Sequence, residues 1–111
     1  MITIEHYVAV SALLFVIGGV GFLVRRNVLV TLMSIEVMLN AANLALVAFN
    51  RSRMGHVASQ AYPGASHTGQ VFAFFIIAAE AAEVAVGLAI VLAMFRLRQT
   101  VRTDDADLLK N

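Results

Sequence analysis

Cysteine and tryptophan are absent, proline occurs once, and only 14% of the 111 residues are charged. Without cysteine the chain can form no disulfide, hold no thiolate-ligated iron-sulfur cluster and offer no thiol nucleophile. Any redox chemistry must therefore belong to a partner. Basic and acidic residues nearly balance, 8 against 7, and no basic patch is interleaved with aromatics, so no nucleic-acid surface is expected. His6, His56 and His67 are read as lying outside the apolar runs, and none is spaced with a second ligand as a metal site requires. No metal is expected, and the three histidines read as solvated loop residues.

What the chain has in quantity is apolar surface. Hydrophobic residues make up 60% of it and the mean hydropathy is +0.84, too apolar for a soluble domain of this length. The sequence predicts an all-α membrane protein, a single integral domain over residues 1–111 with three antiparallel transmembrane helices. The first run, about 4–24, lacks the basic n-region of a signal peptide and is expected to be retained as helix 1. Its IGGVG segment brings Gly18 and Gly21 near one face, where a neighbouring helix can approach the backbone. Arg25, Arg26 and Asn27 then leave room only for a tight turn, so helix 2, about 28–49, should lie beside helix 1. Residues 51–70 hold the only proline and no apolar periodicity, which predicts an outer loop. Helix 3 follows over about 71–95, and 96–111 form a charged tail with a short helix conceivable over 104–109.

Three spans place the termini on opposite sides. The first turn and the tail share one side and carry six of the eight basic residues, so the positive-inside rule puts the C-terminus in the cytoplasm and the N-terminus outside.

Three carboxyls fall inside these spans: Glu36 near the middle of helix 2, and Glu80 and Glu83 in helix 3. A charged residue at the centre of a membrane helix costs on the order of 2.5 to 3.5 kcal/mol on insertion scales, so each calls for a function or a partner. At 100° per residue, Leu29, Asn40, Asn43 and Val47 share the Glu36 face, which makes an acid with two amides beneath it. Glu36 and Glu83 lie at similar depth and could face each other or a common passage; Phe72, Ile76, Ala79, Gly87 and Ile90 flank Glu83, with Gly87 leaving room for water or a side chain. A buried carboxyl tuned near neutrality takes up and releases protons. Glu36 and Glu83 are the expected relay groups. Glu80, three residues before Glu83, is close enough for the two titrations to be coupled, and is expected to adjust Glu83 rather than to carry protons itself. No nucleophile or substrate-binding group accompanies the acids, which argues against a hydrolase.

The RRN of the first turn, IEVMLNAANLA around Glu36, the GQ before helix 3, AAEVAVGLAI around Glu83 and a tail containing DDADLLK together resemble the NuoK-type (subunit K) family of proton-translocating NADH:quinone oxidoreductase, respiratory complex I. The resemblance covers nearly the whole chain. It implies that the family's two intramembrane glutamates correspond to Glu36 and Glu83, and that Arg25 and Arg26 match the family's basic first turn. It further implies a multi-pass protein of the cell (inner) membrane, beside other membrane subunits of complex I that include antiporter-like ones. Glu36 and Glu83 would join a chain of buried charged groups linking the quinone-reacting region to those subunits. No cofactor is expected in this chain; NADH, FMN, iron-sulfur clusters and quinone would be handled by other subunits. Two features depart from the family: Glu80 stands where a small apolar residue is usual, and the 51–68 connection is longer than usual.

Other readings make distinct demands. A small subunit of a multi-subunit cation/proton antiporter has a similar three-helix layout but generally lacks both central glutamates. A purely structural assembly subunit would tolerate neutral residues at both positions. A rotary-ring proteolipid would normally be a two-helix hairpin.

Overall fold

The computed structural model describes residues 1–57, 67–99 and 101–105, with side chains described for 1–53, 67–99 and 101–104. Three helices account for most of it: α1 (Ile4–Val24), α2 (Val28–Val57) and α3 (Thr68–Arg98). Each is long and apolar enough to cross a membrane, the qualifying stretch of α2 ending at Arg53. At ~1.5 Å per residue the 31 residues of α3 extend on the order of 46 Å, beyond the ~30 Å hydrocarbon core. Its ends must emerge.

Local chemistry sets the helix starts. Thr3 precedes α1 in an extended conformation; its amide donates to Nδ1 of His6 at 3.3 Å and its hydroxyl lies 2.7 Å from the same nitrogen. His6 is therefore a first-turn helix residue, not the loop residue expected. Asn27 caps α2: its Oδ1 accepts from the amide of Leu29 at 2.9 Å and its carbonyl from that of Thr31 at 2.9 Å. The side-chain bond satisfies a donor that a helix N-terminus leaves orphaned, and the carbonyl starts the ordinary helical ladder.

Three boundaries differ from the sequence reading. Helix α2 runs on to Val57 and α3 begins at Thr68, so both enter the segment expected to be loop. The added residues of α2 contain no proline and a single glycine, and polarity alone does not end a helix. The loop's one proline, Pro63, lies outside the described residues, as does most of the tail stretch 104–109. At its other end α3 passes Phe95 to Arg98 and stops at Gln99, whose φ of 57° is left-handed and whose amide donates to Phe95 O at 2.7 Å. Arg96 and Arg98 in the last turn suit the negative end of the helix dipole.

Helix α2 lies between the other two, which scarcely meet each other. Small residues set the α1–α2 approach. A β-carbon built on Gly18 would stand 2.6 Å from the Met38 side chain and 2.8 Å from Ser34 O, and one on Gly21 would stand 2.6 Å from Ser34 Oγ. Farther along, the buried Ser11 hydroxyl donates to Ala41 O at 2.6 Å. The close approach expected at Gly18 and Gly21 is thus a backbone-level contact. Bulky side chains such as Phe72, Phe74, Phe75 and Leu92 stay exposed, as suits surfaces that meet lipid or other apolar helices.

The charged end of α3 returns to the first turn. Val28 N donates to Val101 O and Thr103 N to Arg26 O, both at 2.9 Å, forming an antiparallel bridge between Asn27 and Arg102. The Thr103 hydroxyl adds a bond to Arg26 O at 3.0 Å, and the Arg26 guanidinium pairs with Asp104 at 3.0 Å. A short 3-10 turn, Thr103–Asp105, follows.

Candidate proton site

The polar stripe of α2 divides into members with different partners. Glu36 is half-buried and Asn40 exposed. The Asn40 amide donates to the carbonyl of Glu36 at 2.9 Å, so it is spent on its own helix instead of extending a path across the bilayer. Asn43 alone reaches another helix. It is buried, 7% exposed, and its Nδ2 donates to Oε1 of Glu80 on α3 at 3.0 Å.

Glu80 is the acid that faces α2. It is 4% exposed and sits on the inward face of α3 with buried Ala73 and Val91. Gly87 extends that face: a β-carbon there would stand 2.8 Å from Leu32 Cδ2. The room the sequence suggested at Gly87 is therefore occupied by the Leu32 side chain of α2. Glu36 and Glu83 both lie within electrostatic range of Glu80. Glu83 itself is exposed on this chain, as are its flanking residues Phe72, Ala79 and Ile90.

The arrangement thus brings Glu80 to the α2–α3 contact with Asn43 and turns Glu83 outward. The signal for this lies in the sequence: Ala73 and Gly87 stand seven residues either side of Glu80, a spacing that returns to nearly the same face. Small residues there let α2 come close. Arg25 is exposed at the first turn, and Arg26 is held by the tail through Asp104. Ser11, Ser34 and the tail residues Val101 and Thr103 make contacts that the sequence reading did not single out. Among the described residues no three His, Cys, Asp or Glu are grouped to hold a metal ion.

One atom is left over. Asn43 Oδ1 is buried and accepts no hydrogen bond among the described residues, although most buried polar atoms find a partner. The Asn43–Glu80 pair is therefore satisfied on one side only.

Comparison with known proteins identifies the family. Residues 6–111 match the family model described as NADH-ubiquinone/plastoquinone oxidoreductase chain 4L. The chain is 58% identical over 110 residues to an NADH-quinone oxidoreductase subunit K of Sorangium cellulosum, covering 99% of this chain and 97% of the relative. A subunit K 1 of Koribacter versatilis is 52% identical over 105 residues, 95% of this chain and 92% of the relative. A subunit K of Methylacidiphilum infernorum is 47% identical over 109 residues, 98% and 97% of the two chains.

Proposed function

We propose, on the premise that this chain belongs to the NADH-ubiquinone/plastoquinone oxidoreductase chain 4L family, that as subunit K of NADH-quinone oxidoreductase it contributes intramembrane carboxyls to proton translocation coupled to quinone reduction. The observation that carries this reading is the placement of Glu36, Glu80 and Glu83 on two touching helices, all within membrane-length spans. An acid at that depth is a functional group by default. Each carboxylate can accept a proton to form an O–H bond and release it to the next acceptor, with no redox change in this chain.

Glu36 and Glu83 act as the relay groups. Glu83 exchanges protons with a neighbouring membrane subunit, an antiporter-like one included, a reading supported by its exposure on the surface of this chain. Electrons move elsewhere, from NADH through FMN and iron-sulfur clusters to quinone on other subunits. The helices run antiparallel: along α1 from Ser11 to Gly21, the α2 contacts fall back from Ala41 to Ser34. The N-terminus faces outward and the tail the cytoplasm, since the tail and the first turn meet and carry most of the basic residues. The protein is thus a multi-pass component of the inner cell membrane.

The test is Glu36→Gln, which keeps size and hydrogen bonding and removes the titratable proton. Assembly of the complex is measured first. In assembled complex, electron transfer from NADH to an acceptor upstream of quinone should persist while quinone reduction and proton pumping fall together. Parental rates of both would rule the relay out.

A further inference from the structure

Glu80 lies deeper in this chain than either relay glutamate, and its one described hydrogen-bond partner, Asn43, carries an idle buried oxygen. A carboxylate only accepts hydrogen bonds, whereas a carboxylic acid also donates one; an amide has a donor end and an acceptor end on the same planar group. The present bond, Nδ2 to Oε1 at 3.0 Å, matches the ionised form. If the carboxyl gains a proton, its O–H needs an acceptor, and a half-turn of the Asn43 amide about its last side-chain bond supplies Oδ1. The atom that is unsatisfied in one state becomes the acceptor in the other.

We propose that Glu80 carries a proton between Glu36 and Glu83, and that Asn43 is its positioning residue, reversing its amide as Glu80 gains and loses that proton. The inference rests on the relay reading above and deepens it. In each hop one carboxyl loses its O–H as the next gains one: Glu36 becomes a carboxylate as Glu80 becomes an acid, then Glu80 returns to carboxylate as Glu83 takes the proton. Neither electrons nor heavy-atom bonds change hands.

The surroundings isolate this exchange. Among the described residues, the charged groups that act on Glu80 are Glu36 from α2, which packs against it, and Glu83 from α3 itself. Helix α1 scarcely meets α3, and its Glu5, His6 and Tyr7 lie in its opening residues. No described arginine faces the pair: Arg25, Arg26, Arg96, Arg98 and Arg102 cluster near the first turn and the tail, and Arg51 and Arg53 lie near the far end of α2. Asn43 is therefore the group available to answer a change of charge on Glu80.

A static role and a proton-carrying role separate in one substitution. Glu80→Gln retains a hydrogen bond to Asn43, amide to amide, but has no titratable proton. In assembled complex it should lower quinone reduction and pumping several-fold and remove one ionisation from the pH profile of coupled turnover. Combining Glu80→Gln with Asn43→Asp returns an acid to the contact, facing an amide, and should recover part of the lost rate. A Glu80→Gln complex with the parental rate and profile would overturn the proposal, and so would failure of the double variant to recover.

If Glu80→Gln does not assemble, infrared difference spectra of the parental complex taken across pH decide. A buried carboxyl and an asparagine side-chain carbonyl should change together, and a carboxyl that titrates while the asparagine band stays fixed would overturn the idea. Glu36→Gln keeps the two readings apart. Its parental behaviour would remove the relay altogether, whereas a stalled Glu36→Gln beside a parental Glu80→Gln would remove only the role of Glu80.

Discussion

Gly18 lies so close to α2 that a β-carbon added to it would stand 2.8 Å from the carbonyl oxygen of Ser34. A main-chain atom cannot swing aside as a flexible side chain can, so the helices themselves must part. Gly18→Ala should destabilise the α1–α2 pair by about 1 to 3 kcal/mol, the range for overpacked interiors. Gly19→Ala meets nothing within 4 Å and should leave the pair unchanged. Thermal inactivation of the assembled complex measures both, and equal midpoints for the two variants would contradict the close contact.

Asn40 and Asn43 look alike in sequence and differ in use. Asn40→Leu removes a bond within one helix and should leave coupled turnover within about a factor of two, since intramembrane side-chain bonds average ~0.6 kcal/mol. Asn43→Leu leaves Glu80 without its interhelical donor and should cost several-fold more. Quinone reduction and pumping in assembled complex compare the two; equal losses would show that the amides act alike.

The tail is held mainly through its backbone. The Arg26–Asp104 pair is exposed, and such pairs contribute about 0 to 1 kcal/mol, so Arg26→Gln should leave the tail in place. Thr103→Pro removes the amide that donates to Arg26 O and should free it. Protease added to the cytoplasmic face of inverted vesicles should trim the tail faster in the proline variant only. Equal trimming of both variants would show that the bridge does not hold it.

Topology is checked with single cysteines at Ile2 and Thr103 in this cysteine-free chain. A membrane-impermeant thiol reagent applied to intact cells should label Ile2→Cys and spare Thr103→Cys. The reverse pattern would invert the orientation.

Run length and composition make the three helices readable, because ~20 apolar residues have few other uses. The presence of acids inside two of those runs is equally plain. Which acid of α3 turns toward α2 is harder, since Glu80 and Glu83 differ by only ~60° around the helix and either fits a broad face. The deciding residues are the small ones, Ala73 and Gly87, and their effect appears only once Leu32 and Asn43 stand opposite. The bridge between Asn27 and Arg102 has no local signature, because it pairs backbone groups from distant parts of the chain. The ends of α2 and α3 go astray for a different reason: loss of hydropathy marks where the membrane stops, whereas a helix can continue through polar residues that hold no breaker.

With α2 in the middle and α1 and α3 scarcely touching, this chain covers Glu80 but leaves Glu36 half-buried and Glu83 exposed. Each of the three acids is at most one helix away from whatever surrounds the protein. For Glu36 and Glu83 the surroundings are consequently completed by neighbours, so the medium in which they work comes into being only on assembly. The purified single chain in detergent is thus a different chemical object from the same chain beside its neighbours.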